Sequence, residues 1–213
     1  MMESLIIPEM RKALIQKAKE IINCDDPSHD INHTLRVLNT SEHIAKYEGG
    51  DLEVIIPAAL LHDSVNHPKN DPKSDYSADE SAIVARGILQ KFPSYDIKKI
   101  PQVEQAIVEH SYSKGIKPDL LESMIVQDAD RLEAVGAISI MRTFSSAGQM
   151  KMEFYNVNDP FCEQREPGSY ALDLFYKRLL KVKDLMNTKT AEKLAEKRTE
   201  FLYSFLEQLK DEI

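Results

Sequence analysis

The sequence predicts an all-α protein, and three observations carry that expectation. Apolar residues recur at i, i+3 and i+4 along almost the whole chain, the spacing that lines one face of a helix. No stretch alternates β-branched residues between hairpin turns, so nothing announces a half-buried sheet. Glycine and proline punctuate the periodic stretches at Gly49, Gly50, Pro93, Pro101, Pro118 and Pro160.

Periodicity places helices at 9–23, 30–48, 51–65, 77–92, 97–112, 119–128, 131–145, 167–186 and 190–211. The second ends in "EGGD", where a glycine can take the left-handed cap and Asp51 can open the third. That third helix reads as an apolar rod, with Ala58 and Ala59 small enough for close packing. Pro93 follows the fourth helix, Pro101 sits in the first turn of the fifth and Pro118 precedes the sixth. Thr190 is placed to cap the last helix, where Leu194, Phe201, Leu202, Phe205 and Leu209 form an apolar stripe for the core or a second subunit, so a homodimer is open. Between Ser145 and Ser169 no period is visible, and a segment that long is a lid, a subunit contact or a surface excursion.

With 213 residues, 42% of them hydrophobic, the chain can bury one sizeable core, so a single domain over 1–213 is expected. A net charge of −8 and a pI near 5.3 leave no basic track for a nucleic-acid polymer, although a local basic pocket can still grip one phosphorylated small molecule. "MMESLIIPEMRKALIQKAKE" lacks the apolar core of a signal peptide, and no run approaches the ~20 apolar residues of a membrane span. A cytoplasmic protein is the expectation. Cys24 and Cys162 are far apart without CxxC spacing and read as ordinary thiols.

Chemistry gathers in three stretches. "AALLHDSVNHPK" delivers His62 and Asp63 from the end of the apolar rod and then turns at Pro68. "SHDINHTLRV" sets His29 and His33 four residues apart on one helix face, with Arg36 three residues further. "IVQDADRLEAVGA" follows an apolar run with Asp128, Asp130 and Arg131. Imidazoles and carboxylates drawn from three helices suit a divalent cation with mixed nitrogen and oxygen ligation.

The order His33, then "LLHD", then "DADRLEAVGA" resembles the HD-domain metal-dependent phosphohydrolases, and "EHSYSKG" and "FYKRLLKVKDLMNTKTAEKLAEKR" are similar to a small, single-domain bacterial branch of them. The resemblance implies a helical HD fold with a central bundle, in which His33, His62, Asp63 and Asp130 bind one divalent ion. Mn²⁺ or Mg²⁺ is the expected cofactor, with Fe²⁺, Co²⁺, Ni²⁺ or Zn²⁺ as alternatives. Only His110 and His67 remain as extra ligands, so one ion is expected rather than two. Such an ion acidifies water and draws charge from a phosphoryl oxygen, which makes phosphate ester or anhydride hydrolysis its natural use. Asp63 is then both ligand and proton acceptor, and His110, which ends an apolar helix, serves substrate or a water relay.

For phosphate, Arg36 offers a bidentate guanidinium, unless it pairs with Asp30, while Lys69 and Lys73 follow the doublet on a proline-stiffened loop. Asp128 reads as a partner that fixes a ligand imidazole, and His29 as a supporting or capping residue. Two departures from the family pattern stand out. Asp173 and Leu174 occupy the place where relatives carry a histidine, and Ser64, Val65 and Asn66 follow the doublet where some HD nucleotidases have a second acid. The expected substrate is a small nucleotide, cleaved to monophosphate and pyrophosphate or relieved of a terminal phosphate. A non-catalytic metal or nucleotide sensor is the competing reading.

Overall fold

This computed structural model describes residues 3–22, 30–67, 71–93, 95–111, 114–164 and 169–213. The chain forms two compact units, Met1–Asp130 and Arg131–Ile213. The first is built from α1 (Glu3–Ile21), α2 (Ile31–Glu48), α3 (Leu52–Leu61), α4 (Ser77–Leu89), α5 (Ile100–His110) and α6 (Leu121–Arg131), with 3₁₀ turns at Pro72–Tyr76 and Ile97–Lys99. The second holds a 3₁₀ turn at Leu132–Ala134, α7 (Ala137–Gln149), α8 (Asp173–Lys177), a 3₁₀ stretch Leu179–Leu185 and α9 (Lys189–Glu212). The protein is all-α; among the described residues the nearest thing to a strand is an isolated bridge between Glu153 and Tyr170. No described helix is long and apolar enough to cross a membrane.

α3 is the axis of the first unit. Every residue from Val54 to Leu61 is buried, and α1, α2, α4 and α5 all pack against it. A helix surrounded in this way has no polar face to give to solvent, which is why it reads as uniformly apolar rather than amphipathic. Asp51 caps it, accepting the Glu53 N–H at 2.9 Å, while its own N–H donates to Glu122 Oε1 at 2.8 Å. Pro57 lies inside α3 and cannot donate to the carbonyl of Glu53 one turn back. The hydroxyl of Tyr95 donates to that carbonyl instead, at 2.8 Å.

Several element boundaries differ from the sequence expectation, each for a local reason. α3 stops at Leu61 rather than 65, because Ser64 turns both its N–H and its hydroxyl back onto the Leu61 carbonyl. The expected helix 131–145 begins only at Ala137, since Gly136 adopts φ +89 after the 3₁₀ turn, and it runs on to Gln149. The expected helix 167–186 is broken: Ala171 and Leu172 donate backward to the Glu153 and Phe154 carbonyls, and Arg178 leaves helical geometry at φ −131. The cap of the last helix is Thr188, which accepts from Ala191, rather than Thr190. Its buried stripe is Ala191, Ala195, Thr199, Leu202 and Leu206; Phe205 flanks it and stacks on Phe175 at 5.6 Å, while Phe201 is half exposed. Small residues mark the close-packed line, and the larger side chains reach in from its edges.

At the α2–α3 corner Gly49 and Gly50 both adopt positive φ, and a Cβ on Gly50 would stand 3.0 Å from Ile55 Cδ1 and 3.3 Å from Ile125 Cδ1. Gly50→Ala combines this crowding with a left-handed backbone. It is expected to cost about 1–3 kcal/mol of stability, read as a lowered midpoint in denaturant.

Candidate metal centre

Four helix ends of the first unit meet at one place. α2 contributes His33, the end of α3 contributes His62 and Asp63, and α6 contributes Asp130; the last residue of α5 adds His110. The backbone at His33 is set by a helix cap, because Asp30 Oδ1 accepts the His33 N–H at 2.9 Å. His62 follows the last residue of α3 and keeps helical angles. Its ring therefore projects from a buried axis without leaving the helix.

The distances describe a single cluster. His33 Nε2 lies 3.3 Å from His62 Nε2, 3.5 Å from Asp63 Oδ2 and 3.4 Å from Asp130 Oδ1. Asp63 Oδ2 is also 3.5 Å from His62 Nε2, while Asp63 Oδ1 faces His110 Nε2 at 3.8 Å. The rings of His33 and His62, and of His62 and His110, meet edge to face with centroids 5.3 and 4.8 Å apart. His33, His62 and Asp130 bring ligand atoms within 4.8 Å of one another, and so do His62, Asp63 and His110. All three imidazoles are buried, whereas the two carboxylates are partly open to solvent.

The tautomers follow from the backbone. His62 Nδ1 donates to the Ala59 carbonyl at 2.8 Å, and His110 Nδ1 makes the equivalent bond to the Ile107 carbonyl. With the proton committed to Nδ1, a neutral His62 presents a bare lone pair at Nε2 towards His33 Nε2. Two nitrogen lone pairs at that separation repel unless something positive lies between them, a proton or a cation. Two ionised carboxylates beside neutral imidazoles also match the charge of one divalent ion. On both counts the donor set fits a metal.

Electrostatics separate the members. Burial pushes His62 down to about 4, against the pull of Asp63 and Asp130. Burial alone would lift Asp63 and Asp130, but the imidazoles facing them overcome it and hold both below the ordinary carboxylate range. His110 moves the other way: burial would depress it, yet Asp63 and Asp130 keep its proton beyond the usual imidazole range.

The other residues singled out by sequence are distributed differently. Asp128 is fully buried on α6, and the Ala59 and Ile107 carbonyls orient the rings of His62 and His110. Arg36, a turn beyond His33, has its charge near Asp30; burial would raise that carboxyl, and the His33 and Asn32 bonds together with Arg36 hold it low. Lys73 is exposed in the Pro72–Tyr76 turn. His67 is occupied by Glu80, at 2.8 Å. His29 and Lys69 lie outside the described residues. Gln127 was missed: it is buried and donates to the Glu109 carbonyl at 2.6 Å and the Ile116 carbonyl at 3.1 Å, fastening the end of α5 to α6. An amide inside the apolar run before Asp128 was the available signal.

Comparison with known proteins fits this geometry. The family profile of the HD domain matches residues 30–135, a span that contains all five residues of the cluster. The uncharacterized protein YpgQ of Bacillus subtilis is 31% identical over 197 residues, covering 92% of this chain and 89% of YpgQ. The crystal structure of YpgQ in complex with ADP superposes with a TM-score of 0.73 at 26% identity, over 97% of this chain and 96% of that one. An HD-superfamily hydrolase from Bacillus thuringiensis superposes with a TM-score of 0.73 at 30% identity, over 97% of each chain.

In metal-free protein, imidazole NMR is expected to show His62 neutral down to about pH 4 and His110 titrating above its ordinary 6.5. Between pH 6.5 and about 4 the unfolded chain binds a proton that folded His62 refuses, so this group withdraws stability as pH falls through that window. His110 has the opposite sign: its contribution is present below 6.5 and is lost as pH rises through its raised value. A His62 that titrates in the ordinary range would contradict the buried arrangement.

Proposed function

This chain belongs to the HD-domain superfamily, and from that premise together with the cluster geometry we propose that it is a metal-dependent phosphohydrolase of small nucleotides. The observation that carries the reading is the convergence of three imidazole Nε2 atoms and two carboxylates from four helices at one partly open point. His33, His62, Asp63 and Asp130 would hold the ion. Their nitrogen content suits Mn²⁺ better than Mg²⁺, which prefers an all-oxygen shell. A divalent ion bound there supplies two things, an acidified water and withdrawal of charge from a phosphoryl oxygen.

The remaining work belongs to the protein. Asp63 divides its oxygens, Oδ2 towards His33 and His62 and Oδ1 towards His110, so it can accept the proton of the attacking water while still facing His110. His62, pushed down to about 4 by burial, is neutral near pH 7 and suited to bind the ion rather than to carry a proton. His110, whose proton Asp63 and Asp130 hold beyond the usual imidazole range against its burial, is the group suited to protonate the leaving oxygen as the phosphorus–oxygen bond breaks. Arg36, Lys69 and Lys73 are the cations assigned to the substrate's phosphates. The ADP complex of YpgQ supports a nucleotide as the substrate class. The acidic balance of the chain supports a free small molecule over a polymer, and we place it with the cytoplasmic nucleotide pool.

Metal-stripped protein restored with Mn²⁺, Mg²⁺, Co²⁺ or Ni²⁺ is expected to hydrolyse at least one of a panel of nucleoside mono-, di- and triphosphates. Nucleoside monophosphate with pyrophosphate identifies cleavage between the α and β phosphates, and inorganic phosphate identifies a phosphatase. Asp63→Asn is expected to lower kcat by about 10²-fold or more. Metal binding without turnover across the panel would favour the sensor instead.

A further inference from the structure

We infer that Ser81, on α4, is a positioning residue for the Asp63 carboxylate, an assignment that rests on the reading of the cluster as a metal centre. Asp63 lies just beyond α3. On its near side Ser64 closes the helix, giving its N–H at 3.2 Å and its hydroxyl at 2.9 Å to the Leu61 carbonyl. On its far side the peptide groups of Val65 meet a single side chain: the Val65 N–H donates to Ser81 Oγ at 3.0 Å, and the Ser81 hydroxyl donates to the Val65 carbonyl at 3.2 Å.

Two further bonds come from the same helix. The His67 N–H donates to Ser77 Oγ at 3.2 Å, and the His67 ring meets Glu80 Oε2 at 2.8 Å. Ser77, Glu80 and Ser81 stand at i, i+3 and i+4, a single face of α4 laid along the segment that leaves the doublet. Ser81 is the buried member, with no exposed surface, and both of its bonds are spent on Val65. A fully buried hydroxyl is unfavourable unless its partners are in place, so its presence points to a requirement on Val65 rather than to packing.

The requirement follows from Asp63. Its two oxygens face different groups, one at 3.5 Å from His33 and His62 and the other at 3.8 Å from His110. A small rotation of the peptide beyond it would spoil both alignments together. The Ser64 N–H fixes the peptide that joins Asp63 to Ser64, and Ser81, holding the Val65 N–H and carbonyl, fixes the two peptides that follow, so the segment cannot relax and let the first one turn. Ser81 thus acts on the metal through Asp63 without touching either.

The test is a Mn²⁺ titration by calorimetry on metal-free, full-length wild type, Ser81→Ala, Asp63→Asn and the double variant. Ser81→Ala is expected to weaken Mn²⁺ binding about tenfold. In the Asp63→Asn background it is expected to weaken it no further, because the two changes act through one carboxylate. Unchanged affinity in Ser81→Ala, or a loss that persists in full in the double variant, overturns the inference while leaving the metal reading intact. Wild type that binds no Mn²⁺ removes both. If the alanine variant does not fold, Ser81→Cys keeps the shape with a weaker hydrogen-bonding group; it is expected to bind Mn²⁺ less tightly than wild type, and wild-type affinity there also overturns the inference.

Discussion

Two buried imidazoles give their Nδ1 protons to the carbonyl three residues back in their own chain, and the geometry of the centre depends on that bond. A helix end leaves carbonyls without amide partners. His62 and His110 take two of them, those of Ala59 and Ile107, and the same act turns each Nε2 away from the backbone towards Asp63. The ring is thereby oriented by main chain, which moves less than any side chain. For His62 and His110 the main chain fills the orienting role that a carboxylate fills in many metal centres.

The cost of such a site is visible in its surroundings. Three imidazoles and two acids stand together at the edge of an apolar core, and burial and neighbouring charges jointly set the states of His62, Asp63, His110 and Asp130. Around them, polar contacts tie the elements of the first unit together: Gln127 bridges two carbonyls, Lys114 meets Asp79 at 2.6 Å, and Lys99 joins Asp51 and Glu53. These contacts fasten the ends of helices, and helix ends are where the cluster is assembled.

The helical class, the order of the first six helices and the convergence of His33, His62, Asp63 and Asp130 were legible in the sequence, because periodicity and the family pattern are local signals. The second unit was less legible. Tyr170–Leu185 is rich in good helix formers, yet Ala171 and Leu172 pair with a segment that follows α7, a choice made by contacts remote in sequence. The stripe on α9 was misjudged by weighting large apolar residues, when Ala191, Ala195 and Thr199 are what allow close approach. In the site, Gln127 and Ser81 escaped notice for a common reason. Each acts on a backbone group, and a sequence does not say which carbonyl or amide needs a partner.

Pro57 gives α3 a property of another kind. The carbonyl of Glu53, facing the position where proline has no hydrogen, receives its bond from Tyr95, 42 residues further along. The helix that carries the His-Asp doublet therefore cannot complete its own hydrogen bonding from local sequence. Without Tyr95 that carbonyl is left to water, and the long-range hydroxyl takes water's place. Docking of Tyr95 thus completes the hydrogen bonding of α3 and ties the helix that carries the doublet to the segment that leads into α5.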